Sequence, residues 1–112
     1  MCGITGIFNF DKQKPVDLPL LEYLSSSIKH RGPDANGKFV KDNIGLAHRR
    51  LSIIDLTNGS QPMNDIQNQI NIVFNGEIYN YKDLRDELEK LGYKFRTESD
   101  TEVIIYSFKH WG

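Results

Sequence analysis

Met1-Cys2-Gly3-Ile4-Thr5-Gly6-Ile7-Phe8 opens the chain, and the single cysteine of the protein stands at position 2. The run is apolar, β-branched and glycine-containing, so Gly3 to Phe10 reads as a buried strand, ended by the polar break Asp11 to Pro15. Removal of Met1, which a small second residue permits, would leave Cys2 carrying both a thiol and a free α-amine. Their reference pKa values, about 8.5 for the thiol and roughly 7.7 to 8.0 for the amine, both lie near working pH. The amine can then accept the thiol proton and return it to a departing amine, with no His or Asp partner needed. The plain alternative is a small buried residue heading a strand, since free Cys is among the most buried residue types.

The rest of the chain is consistent with a small α+β unit. Its 112 residues suffice for one domain and exclude a second full one. A net charge of −1, from 14 basic and 15 acidic residues, gives no electrostatic reason to expect nucleic acid or a charged membrane as partner. One cysteine allows no internal disulfide and fits a reducing compartment. The N-terminus lacks a signal-peptide pattern and no apolar run approaches the ~20 residues of a membrane span, so a soluble cytoplasmic protein is expected.

Leu20, Leu21, Leu24 and Ile28 recur at helical spacing behind Asp17, which predicts a capped helix over Leu18 to Lys29. His30 to Gly37, with Gly32-Pro33 at its centre, reads as a loop. Strands are expected at Lys38 to Val40, Ile44 to His48, Leu51 to Asp55 and Ile70 to Phe74, with a loop from Thr57 to Pro62. Asn75-Gly76 between Ile70 to Phe74 and Glu77 to Tyr79 predicts a type I′ hairpin, because both turn positions favour positive φ. Asn80 should cap a helix with Leu84, Leu88 and Leu91 on its apolar face and Gly92 as its stop. Ser99 and Glu102 form a capping-box pattern ahead of a last helix bearing Val103, Ile104, Phe108 and Trp111. Short loops make the strands antiparallel, and no repeat or linker divides them.

Three features carry chemistry besides Cys2. An amide side chain followed by an unhindered backbone N–H, as in Asn75-Gly76, can aim two donors at one developing oxyanion, although the same pair also serves as a bare hairpin turn. Arg50 has the fork geometry for a carboxylate ligand, but an Arg between apolar strands also serves as a solvated or ion-paired surface residue. Asp100 stands where a helix-cap neighbour or an ammonium ligand could stand. Cys2, His30, His48 and His110 share no metal-ligand interval, so no metal site is expected, and His30 and His48 read as structural donors within loops.

Taken in order, Met1-Cys2-Gly3-Ile4, His30-Arg31-Gly32-Pro33-Asp34, His48-Arg49-Arg50-Leu51-Ser52-Ile53, Asn75-Gly76-Glu77-Ile78-Tyr79-Asn80 and Ser99-Asp100-Thr101-Glu102 resemble the class II glutamine amidotransferase domain. The Pro33-Asp34 pair and the Arg50-Leu51-Ser52-Ile53-Ile54-Asp55-Leu56 run resemble its asparagine synthetase branch. The resemblance implies an N-terminal-nucleophile hydrolase fold with antiparallel sheets stacked between helices (αββα). It implies Cys2 as nucleophile on glutamine, Asn75 and Gly76 as oxyanion donors, Arg50 on the α-carboxylate, and Asp100 with Glu77 at the α-ammonium and amide ends. A catalytically silent glutamine-binding or interaction module, or an amidotransferase of another acceptor, is the competing reading.

The family's glutaminase domain runs to roughly 200 residues, an ordinary domain size. The resemblance therefore implies that residues 1–112 are the N-terminal part of that domain, with its C-terminal part and a synthetase domain lying outside the chain. It implies no cofactor in this segment, with ATP and Mg used by the synthetase domain, and it leaves a homodimer of the full-length protein open. An isolated piece of this kind is expected to be inactive and to leave part of its apolar surface uncovered.

Overall fold

A computed structural model describes residues 2–51, 59–67 and 69–112. Strand β1 (Gly3–Phe8) lies beside β3 (Ile44–Arg50), and β2 (Ala35–Lys41) flanks β3 on its other side, giving an antiparallel sheet of order β1-β3-β2. Pairing runs from Gly3 opposite Arg49 to Phe8 opposite Ile44. Asp42, with φ at +53°, and Asn43 turn β2 into β3.

Helix α1 (Leu18–Ser27) covers one face of this sheet. Asp17 caps it by accepting the Leu20 N–H at 3.1 Å, and Pro19 stands in its first turn, where the missing N–H costs nothing. Its Leu21 is fully buried with Val16 and Ala47, and Ile7 packs against them. Burying such a side chain contributes roughly 1.5 to 3 kcal/mol. The close approach depends on Gly45, where a Cβ would come within 3.0 Å of Val16 and 3.1 Å of Leu21. On the opposite face Ile4, Phe8 and Ile44 are exposed.

The second half is built on two helices. Strands β4 (Met63–Asn64) and β5 (Asn71–Ile72) form a short antiparallel ladder, followed by α2 (Tyr81–Lys90) and α3 (Asp100–Trp111). Met63, Leu88, Val103, Ile105 and Tyr106 form its core. Beside it, the buried carboxylate of Asp65 accepts the N–H groups of Gln69 at 2.7 Å and Ile70 at 2.9 Å, and Lys109 Nζ at 2.9 Å. Burial opposes its ionisation, but the Ile70, Lys109 and Gln69 donors outweigh it and hold its pKa at about 2.

The molecule is thus α+β with antiparallel sheets, but several elements differ from the sequence expectation. The first strand stops at Phe8, and Phe10 is 92% exposed. Helix α1 stops at Ser27 and gives way to a 3-10 turn over Lys29–Arg31. The stretch expected as a loop to Gly37 enters the sheet from Ala35, because Asp34 N–H bonds the Arg50 carbonyl at 3.0 Å and long-range pairing overrides turn-like composition. Leu51 is not in a strand, and the remainder of Leu51 to Asp55 lies outside the described residues.

The strand expected over Ile70 to Phe74 contracts to Asn71–Ile72, and Glu77 to Tyr79 forms no strand. No type I′ hairpin forms, since neither Asn75 nor Gly76 takes a positive φ. Asn80 occupies the N-cap of α2 without a side-chain bond, Leu91 is exposed, and Gly92 at φ +102° ends the element. Ser99 caps α3 by accepting the Thr101 N–H, but Glu102 reaches back to Arg96 and Thr97, so the capping box is not reciprocal. Ile105 and Tyr106 join Val103 in the core, whereas Phe108 and Trp111 are exposed.

Candidate active site

Cys2 sits one residue ahead of β1, where continuation of the Gly3–Arg49 register sets it across from Arg50. Its Sγ lies 3.9 Å from the Leu51 carbonyl, and its own carbonyl accepts Arg31 Nε at 3.3 Å. Arg50 ends β3, where its backbone is gripped from the side by Pro33 and Asp34. Behind it, Gly32 is packed so closely that a Cβ would lie 2.4 Å from the Arg49 carbonyl carbon. The sheet therefore brings the thiol and the guanidinium to one end of two adjacent strands.

Facing them is the segment Phe74 to Ile78, which follows β5 without continuing its ladder. Its backbone is held by side chains instead: the Phe74 N–H donates to Gln61 Oε1, and the Ile78 N–H donates to Asp100 Oδ2 at 2.9 Å. Between these ties Asn75, Gly76 and Glu77 are exposed. Gly76 rests on the Phe74 ring, where a Cβ would come within 2.9 Å of Cζ. Asp100 is the first residue of α3, beside the capping Ser99.

One open cavity of about 740 Å³ is lined by Cys2, Arg50, Asn75, Gly76, Glu77 and Asp100, all six residues singled out in the sequence. A thiol, a guanidinium, an amide followed by a glycine N–H and two carboxylates thus share one cleft of a size suited to a small polar molecule. Among the described residues no group of three His, Cys, Asp or Glu side chains could hold a metal ion.

The lining also includes Gln61, to which the sequence assigns no role, and His48, which it reads as a structural donor within a loop. Gln61 carries no sequence signal beyond its place before Pro62. His48 is a β3 residue rather than a loop donor, only 2% exposed, and among the described residues its Nε2 meets no hydrogen-bond partner. Burial pushes its pKa below the ordinary imidazole value, the Phe74 backbone draws it up, and the Arg50 charge pushes it down.

Comparison with known proteins bears on the whole of the chain. Residues 1–112 match the family model described as glutamine amidotransferase domain. The chain is 46% identical over 113 residues to asparagine synthetase (glutamine-hydrolyzing) 1 of Bacillus subtilis strain 168, covering 99% of this chain and 18% of that protein. It is 38% identical over 112 residues to a probable asparagine synthetase (glutamine-hydrolyzing) of Schizosaccharomyces pombe, covering 100% of this chain and 20% of that one. A protein named amidase chry2, from Gibberella zeae, is 40% identical over 126 residues, with 100% and 18% covered. The chain spans about a fifth of the length of the curated relatives it matches.

Proposed function

This chain belongs to the glutamine amidotransferase domain family, and from that premise we propose that it hydrolyses glutamine through Cys2 as part of an asparagine synthetase. The observation that carries the reading is the convergence of Cys2, Arg50, Asn75, Gly76 and Asp100 on one cleft from elements far apart in the chain. Neither a hairpin turn nor a surface arginine requires that convergence.

In this reading the free α-amine of Cys2, once Met1 is removed, takes the thiol proton, and Sγ attacks the side-chain amide carbon of glutamine. The Asn75 side chain and the Gly76 N–H stabilise the tetrahedral oxyanion. Collapse breaks the C–N bond, the α-amine returns the proton, and ammonia leaves a γ-glutamyl thioester. Water, deprotonated by the same amine, then attacks the thioester, releasing glutamate and restoring the thiol. Arg50 holds the substrate α-carboxylate as a bidentate pair, and Asp100 with Glu77 receives its α-ammonium.

The fold that fits this chemistry is the N-terminal-nucleophile αββα stack, with the exposed Ile4, Phe8 and Ile44 face as the surface a second sheet would cover. Amidation of aspartate by the released ammonia, with ATP and magnesium, is assigned to the rest of the parent protein. Amidase chry2, which shares this segment at 40% identity, supports a second reading in which the same ammonia source serves another acceptor.

The deciding experiment is Cys2→Ala in the full-length protein. Glutamine hydrolysis should vanish while synthesis driven by added ammonia survives. Hydrolysis at the wild-type rate would overturn the assignment, and the intact mass of the purified protein would show whether Met1 has been removed.

A further inference from the structure

The Phe74 to Ile78 segment lies outside any ladder, yet its donors must stand within a few tenths of an ångström of their working positions to stabilise an oxyanion. Gln61 Oε1 accepts the Phe74 N–H, the donor immediately ahead of Asn75. The other end of the same side chain, Nε2, lies 3.4 Å from Thr101 Oγ1. Thr101 is 2% exposed and follows Asp100 in the first turn of α3, and Asp100 in turn holds the Ile78 N–H. Asn75, Gly76 and Glu77 are therefore suspended between two side-chain ties, both of which lead to the start of α3. The Gln61 backbone is itself pressed onto β2, where a Cβ on Gly37 would come within 2.0 Å of its carbonyl oxygen.

We propose that Gln61 is a positioning residue for the oxyanion donors, fixing Asn75 and Gly76 through the Phe74 N–H and registering them to the α3 terminus through Thr101. This rests on the glutaminase reading above. A glutamine amide suits the position because it offers an acceptor and a donor at opposite corners of one planar group, and so can bridge a backbone N–H and a hydroxyl acceptor. Gln61 itself touches no reacting atom. Its effect should fall on the transition state, because the substrate's α-groups are held by Arg50 and Asp100, which keep their own supports.

The test uses the full-length enzyme with Gln61→Met, which is of similar length but makes neither bond, Thr101→Val, and the double variant. Gln61→Met should lower kcat for glutamine by about tenfold to a hundredfold, less than outright loss of an oxyanion donor, with KM changed by less than about threefold. Thr101→Val should lower kcat by about threefold or more, and the double variant should be no worse than Gln61→Met alone, since both remove one bridge. Ammonia-driven synthesis should stay at the wild-type rate in all three, reporting an intact protein. A wild-type kcat in Gln61→Met, a rise in KM as large as the fall in kcat, or additive losses in the double variant would each overturn the proposal. If Gln61→Met yields no soluble enzyme, Thr101→Val decides alone, and an unchanged kcat there refutes the bridge. Persistent hydrolysis in Cys2→Ala would refute the glutaminase reading itself, whereas a dead Cys2→Ala beside a normal Gln61→Met refutes only the role of Gln61.

Discussion

Gly32→Ala should cripple glutamine hydrolysis without altering any cleft-lining residue. At φ −149° the backbone of Gly32 is not in the left-handed region that glycine alone favours, and the close packing around it shows that its glycine provides space. An added Cβ would lie 2.4 Å from the Arg49 carbonyl carbon and 2.5 Å from both the Arg49 oxygen and the Arg50 nitrogen. All three are backbone atoms of the peptide that leads into Arg50, so no side chain can swing aside. Restoring ordinary contact near 3.4 Å requires the two strands of chain to separate by ~1 Å. A 1 Å displacement of a substrate-holding group can cost about 10²-fold in rate, equivalent to about 2.7 kcal/mol of transition-state stabilisation. Overpacking of this kind also destabilises a fold by roughly 1 to 3 kcal/mol. Steady-state hydrolysis of glutamine, read with thermal unfolding of the same sample, separates the two effects. The expected result is a folded enzyme with kcat/KM reduced about a hundredfold; wild-type kcat/KM would show that the β3 terminus tolerates the shift and that Gly32 does not set the position of Arg50.

Further outcomes follow from the same geometry. Asn75→Ala removes one oxyanion donor and should lower kcat by about 10² to 10³, whereas a change confined to melting temperature would return Asn75 to a turn role. Arg50→Lys replaces a fork with a point charge and should chiefly raise the KM for glutamine; an unchanged KM would place the α-carboxylate elsewhere. For Asp65, whose folded pKa of about 2 lies below its ordinary 3.8, the unfolded chain takes up the proton first as pH falls. Its contribution to stability is therefore complete above pH 3.8 and is lost as the pH falls toward 2, and the Gln69 and Ile70 amide resonances should titrate with a midpoint near 2. A midpoint near the ordinary value would mean that the Asp65 bonds do not persist in solution.

The helices were the legible part of the fold because their signals are local. Asp17, Ser99 and Gly92 mark a start or stop by bonds or dihedrals within one turn, and the structure keeps each of them in that place. The strands were less legible where pairing is decided at a distance. Ala35-Asn36-Gly37 has turn composition, yet it pairs with Arg50, Arg49 and His48 because β3 offers an unpaired edge there. Asn75-Gly76 has hairpin composition, yet the tie from Asp100 to Ile78 draws the following residues away from a returning strand. The cleft residues could be named because each has a distinctive chemical type. The places of Gln61 and His48 in the cleft could not, since a side-chain bridge and a buried ring depend on neighbours that sequence spacing does not reveal.

Cys2 and Arg50 belong to the sheet whose core is Val16, Leu21 and Ala47, whereas Asn75 and Asp100 belong to the unit centred on Met63, Leu88 and Ile105. The proposed nucleophile and the groups facing it are thus mounted on separate hydrophobic bodies. Mild denaturant or pressure could part these bodies while both stay folded, so inactivation should precede loss of the helical circular dichroism signal. A small osmolyte or bound glutamine, by pressing the two together, should bring the two transitions into coincidence.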